Sequence, residues 1–216
     1  VEKYLDPATS LGEILFGLIM TLTFTLGAGV IMQEEGRQGA RDLLIATIGC
    51  NIAWGVIDGV FYLLGQVFER GRLRRIAFRL KETRDDREAL ELVARELDQA
   101  LAKVTTSAER DTLYGRIIEQ VRAGNLEPNR ITREDLFGAV ASFWLVFFAS
   151  LPAAVPFLFI QDPWIALRVS NVVLLALLFA TGHSWARYTT ARPWLTGCVF
   201  LLFGVALVAM AIALGG

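Results

Sequence analysis

Apolar positions in this chain gather into long runs, with one dense polar stretch between the second and the third. The runs cover roughly 11–32, 42–68, 136–160, 164–186 and 194–214. A helix of about 20 mostly apolar residues crosses the hydrocarbon core of a bilayer. In lipid the backbone must satisfy its own hydrogen bonds, so such runs are read as helices. The pattern therefore predicts five transmembrane helices. Their ends carry matching signals. Ser10 and Glu13 read as an S-x-x-E capping box for the first, and Thr132 with Asp135 caps the third. Asp162 before Pro163 reads as N-cap and N1 of the fourth, and Pro193 opens the fifth. Pro152 and Pro156 fall inside the third and predict a bend.

The stretch over 69–131 follows another rule. Leu90, Val93, Leu97, Leu101 and Val104 recur at helical spacing, predicting an amphipathic helix over about 73–104. Leu113, Ile117, Ile118 and Val121 predict a second over about 107–122, ended by Gly124 and Asn125. Each has one face to bury, so the two form a helical hairpin. The fold class is thus an all-α membrane protein: transmembrane helices one and two over 1–68, a cytosolic helical insert over 69–131, and helices three to five over 132–216. Arg70, Arg72, Arg74, Arg75, Arg79 and Lys81 crowd the exit of the second helix, whereas the turn I-Q-D-P-W between the third and fourth has no basic residue. Arg187 and Arg192 lie in the turn between four and five. The positive-inside rule then puts the insert and the N-terminus in the cytoplasm and Gly216 outside. Arg37 and Arg41, among Glu34, Glu35 and Asp42, weigh the other way but form the smaller cluster.

Composition narrows this further. Hydrophobic residues make up 54% of the chain and mean hydropathy is +0.48, too apolar for an ordinary soluble domain. A net charge of −1 argues against nucleic acid as a partner. Cys50 and Cys198 each stand alone in an apolar run, outside any C-x-x-C pattern, and read as small buried hydrophobes. The first residues lack the pattern of a secretory signal. No G-x-x-x-x-G-K-[ST], G-x-S-x-G or H-E-x-x-H motif occurs, and the chain does not read as an enzyme.

The candidate chemistry lies in the apolar runs and in the insert. Asp58 stands well inside the second run, where a carboxylate costs roughly 2.5–3.5 kcal/mol and marks an ion or proton pathway or a paired structural group. Asn51, two turns earlier, shares its face, and Gly55 and Gly59 flank Asp58 at small-xxx-small spacing. Arg168, Ser170 and Asn171 give the fourth helix a polar patch, and Asn171 is placed to bond across helices. In the first helix Met20 offers a soft thioether, and Thr21, Thr23 and Thr25 can bond back to their own carbonyls. The single His183, at the end of the fourth helix, reads as interfacial. In the insert Glu82, Asp85, Glu88 and Glu91 recur three residues apart and could ligate a divalent cation, but Arg84, Arg87 and Arg95 are interleaved, and spacing alone favours a solvated, salt-bridged helix.

This layout resembles the vacuolar iron transporter (VIT) family: two helices, a cytosolic metal-binding insert and three more helices. A-S-F-W-L-V-F-F-A-S-L-P-A-A-V-P is similar to the family's third helix, F-G-V-A-L-V-A-M-A-I-A-L-G to its last, and E-I-L-F-G-L to its opening run. The run G-L-I-M-T-L-T-F-T, where the family carries an aspartate, has no acid, and the insert has no methionine. Asp58 falls near a family glutamate. The resemblance implies a proton-coupled exporter of Fe2+ or Mn2+, with the metal as cargo and no permanently bound cofactor. Asp58, Asn51, Met20 and Asn171 would line the path, and Glu82, Asp85, Glu88 and Glu91 would gather the cation. It also implies a homodimer in the bilayer, with the first helices, rich in Gly17, Thr21, Gly27 and Gly29, near the axis. The alternative is a non-transporting membrane module of the same fold whose insert binds a protein partner.

Overall fold

The computed structural model of the chain describes residues 5–126 and 128–213, apart from the side chains of 26–37, 40–41, 43–44 and 211–212. Glu34, Glu35, Arg37 and Arg41 of the expected first loop, together with Gly27, Gly29, Val1 and Gly216, lie outside the described residues or side chains. The described elements are α1 (Pro7–Glu82), α2 (Asp86–Leu101), α3 (Ser107–Ala123), α4 (Arg133–Phe159), α5 (Pro163–Trp185), a short 3-10 turn (Ala186–Tyr188) and α6 (Pro193–Ala213). Among the described residues, five segments are long and apolar enough to cross a membrane: Pro7–Thr25, Ile45–Glu82, Arg133–Phe159, Pro163–Tyr188 and Pro193–Met210.

The chain divides into two compact units, Val1–Leu63 with Thr132–Gly216, and Leu64–Ile131. In the first, the backbone of α1 is helical through the 33–41 stretch where a loop was expected, yet its two arms pack on each other. The Asn51 amide donates to Thr21 Oγ1 at 3.3 Å, and the Phe16 and Trp54 rings meet edge to face at 5.6 Å. A straight helix would hold Thr21 and Asn51 about 45 Å apart at ~1.5 Å per residue. The chain therefore reverses between Thr25 and Ile45, and the arms run antiparallel.

Inside lipid, apolar surface gains little by leaving one apolar medium for another, so close packing and interhelical hydrogen bonds hold the helices together. Leu18 and Leu22 of α1, Ala153 of α4 and Leu174 and Leu178 of α5 form the buried core. Ser170 of α5 donates to the Ala153 carbonyl of α4 at 2.8 Å. α5 packs on both α4 and α6. The capping readings hold for three helices. Thr132 and Asp135 bond reciprocally, the Asp162 carboxylate accepts from the amides of Trp164 and Ile165, and Pro193 opens α6. α4 runs unbroken past Pro152 and Pro156. The S-x-x-E reading fails: α1 starts at Pro7, capped by Asp6, whose carboxylate accepts from the amides of Ala8 and Thr9. Pro at the first helical position suits that start, so Ser10 lies a turn inside the helix and Glu13 is released for another role.

The second unit is built from the end of α1, α2 and α3 around Leu80, Ala89, Val93, Tyr114 and Ile118. The single helix expected over 73–104 is two. α1 ends at Glu82, and Asp85, extended at φ −82° and ψ 114°, caps α2 through the Arg87 amide. A carboxylate that satisfies the free amides of a new helix start competes with continuing the old one. Arg122 of α3 holds the break from the far side, donating to the carbonyls of Leu80 and Thr83 and to the Asp86 carboxylate. The Tyr114 hydroxyl donates to Asp98 at 2.6 Å, and Arg110 pairs with the same carboxylate at 3.1 Å.

Candidate functional site

Two glycine seams bring the arms of α1 onto α4. A Cβ at Gly17 would stand 2.8 Å from the Val146 carbonyl oxygen, one at Gly55 2.8 Å from the Phe143 ring, and one at Gly59 3.0 Å from the Ala139 oxygen. Only glycine permits this approach, as the small-xxx-small spacing around Asp58 indicated. Gly17 is thereby used inside the chain and not left free for a second copy.

Polar side chains meet along these seams. Ser142, fully buried on α4, donates to Glu13 Oε1 at 2.7 Å. The antiparallel register that sets Thr21 against Asn51 and Phe16 against Trp54 sets Glu13 against Asp58, and the two carboxylates act on each other through space. Both are half-buried, and Asp58 Oδ2 is buried with no hydrogen-bond partner among the described residues. Among the described residues, neither Arg168 nor another polar group hydrogen-bonds that oxygen.

The other path residues divide. Asn51 is 2% exposed and bound to Thr21, which in turn donates to the Gly17 carbonyl at 2.7 Å. Asn171 of α5 accepts from Thr25 at 2.9 Å, the bond across helices that its position indicated. Thr21 and Thr25, one turn apart, thus tie the first arm to the second arm and to α5. Met20 is half-buried, and Thr23 donates to its carbonyl. Glu13, Ser142 and Asp58 are brought together by three segments, with Asn51 two turns along the same arm as Asp58. Glu13 was missed because its spacing from Ser10 reads as a cap. The usable signal was the hairpin register, which places an acid of the first arm at the level of Asp58.

The four acids of the insert do not converge. Glu82, Asp85, Glu88 and Glu91 are exposed, Asp85 is engaged in capping α2, and Glu91 lies 3.8 Å from Arg87. Among the described residues, no three His, Cys, Asp or Glu side chains stand close enough together to hold a metal ion. Asp86, passed over in the acid series, pairs with Arg122 at 2.9 Å.

Two carboxylates facing each other in a medium of low dielectric repel strongly, and a cation between them relieves that repulsion. The Ser142 hydroxyl, bonded to Glu13, adds a hard oxygen donor of the kind divalent cations accept. The family model described as the VIT family matches residues 69–216, more than half of the chain. The match begins beyond Asp58, so Glu13 and Asp58 rest on the geometry alone. Comparison with curated proteins found no match.

Proposed function

The chain belongs to the VIT family, and from that membership we propose that it carries a divalent metal cation, Fe2+ or Mn2+, out of the cytoplasm in exchange for protons. The observation that supports this most directly is Asp58, a half-buried carboxylate with an orphaned oxygen, set against Glu13 in an apolar bundle. Ionisable groups inside a membrane are costly and are retained where ions or protons pass. In this reading Asp58 and Glu13 take up cation or proton in alternation, Ser142 orients Glu13, Asn51 keeps the arms of α1 in register and Asn171 ties the first arm to α5. Met20 borders the path with a thioether that favours a transition metal over calcium. The insert lies on the cytoplasmic side, where Glu82, Glu88 and Glu91 raise the local concentration of cation without forming a closed cage. The working unit is a homodimer.

Proteoliposomes loaded with a metal-sensitive dye and a pH indicator test the reading. Wild-type protein moves Mn2+ and protons in opposite directions. Asp58→Asn keeps the shape and removes the titratable charge, and it abolishes proton-coupled flux while the protein remains folded. Glu13→Gln lowers flux at least tenfold, whereas Ser142→Ala, which only frees the Glu13 side chain, reduces it less. Full coupled transport by Asp58→Asn would overturn the assignment of this site. A wild-type protein that moves no divalent metal would favour the non-transporting module whose insert binds a protein partner.

A further inference from the structure

Where α1 leaves its apolar run, arginines and phenylalanines take up the surface that the insert does not cover. Ile76 and Leu80 pack inward against Ala89, Val93, Tyr114 and Ile118. Phe68, Arg75 and Arg79 recur seven and four residues apart along one exposed stripe, and Arg74 and Phe78, four apart, form the next. Phe68 is 73% exposed and Phe78 46%.

The charges along this surface are uneven in their engagement. Arg72 is held by Glu69 and Glu96. Arg75 and Arg79 have no carboxylate partner among the described residues. The Arg74 guanidinium lies over the Phe78 ring at 5.3 Å from its centroid, and its Nε is buried without an acceptor. Like charges four apart on a helix repel unless an anion stands between them.

We propose that Arg74, Arg75 and Arg79, flanked by Phe68 and Phe78, bind the headgroup of an anionic phospholipid in the leaflet that α1 leaves. Three features choose this occupant. The apolar run over 42–68 spans the hydrocarbon with length to spare at ~1.5 Å per residue, so the following turns stand at headgroup depth. Guanidinium groups bind phosphate oxygens through paired donors. Phe68, at the end of the apolar run and largely exposed, stays at the acyl boundary, where a soluble anionic partner would leave it in water. The inference stands on membrane insertion and is independent of the transport reading.

Native mass spectrometry of the full chain in detergent, titrated with phosphatidylglycerol or phosphatidylcholine, tests it. The wild-type protein retains phosphatidylglycerol in preference to phosphatidylcholine. Arg75→Gln with Arg79→Gln weakens that retention by roughly thirtyfold, two interfacial charges' worth. Arg187→Gln with Arg192→Gln, an equal loss of charge elsewhere, leaves it unchanged, and Arg75→Lys with Arg79→Lys, which keeps the charge but not the paired donors, keeps only part of it. No preference between the two lipids in the wild-type protein overturns the proposal, and so does an equal loss in both glutamine pairs. Displacement of the lipid by excess inorganic phosphate would assign the site to free phosphate and overturn it too. If the glutamine pair fails to fold, the lipid preference of the wild-type and lysine proteins still decides.

Discussion

Gly12 and Gly17 lie a little more than one turn apart on the first arm of α1, and they have opposite surroundings. A Cβ at Gly12 would meet nothing within 4 Å, whereas one at Gly17 would press on the Val146 carbonyl at 2.8 Å and the Val146 Cα at 3.2 Å. Backbone atoms of a packed helix cannot rotate aside as a side chain can. Gly17→Leu is therefore expected to destabilise the bundle by about 1–3 kcal/mol, the usual cost of overpacking. Gly12→Leu should be nearly neutral. Thermal unfolding of both variants in detergent checks this, and equal melting temperatures would contradict the seam. The same seam explains why Glu13 escaped sequence reading. Asp58 stands out in I-A-W-G-V-I-D-G because every neighbour there is small or apolar. Glu13 sits near a helix start, three residues after a serine, where acids are ordinary. Its partner Ser142 is 129 residues away, and no local pattern connects the two.

At the scale of elements, the insert behaves as water-soluble helices do, with amphipathic faces closing on a small core. Tyr114 is the pivot of that core. Burial, and next the bond to Asp98, push its phenol above the ordinary value of 10.0. The protonated phenol is the form the fold favours. Its contribution is thus fully present below the unfolded value and is lost as pH rises through the higher folded value. The tyrosinate absorbance difference between the full wild-type chain and Tyr114→Phe should show a component that titrates above 10.0. A difference component at or below the ordinary value would refute it. The helix periodicity of the insert was legible in Leu90, Val93, Leu97 and Leu101, but the break at 83–85 was not. A carboxylate at Asp85 supports either a continuing helix or a new start, and the choice fell to Arg122, which holds both sides of the break from α3.

For the whole molecule, two expectations concern how it sits and assembles. With Cys50 and Cys198 replaced by serine, a cysteine at the exposed position Ala100 should react with a membrane-impermeant maleimide only from the cytoplasmic side. Labelling from outside would invert the orientation drawn from the arginines after 69. Mass photometry in lipid discs should give twice the monomer mass of 23.9 kDa, and a single copy would remove the homodimer. Because Gly17 and Thr21 are already used within the chain, the contact between copies must draw on other surfaces. The number of membrane helices, their polar caps at Thr132 and Asp162, and the expense of Asp58 were all determined by the sequence itself. Each is a local property: an apolar length, a side chain beside a free amide, a charge among hydrocarbons. The pairing of Glu13 with Asp58, the Asn51–Thr21 and Asn171–Thr25 bonds and the use of Gly17 against Val146 were decided only in the tertiary structure. These depend on which helices approach and in what register, and in a membrane, where apolar faces are nearly interchangeable, close packing and a few buried polar contacts make that choice.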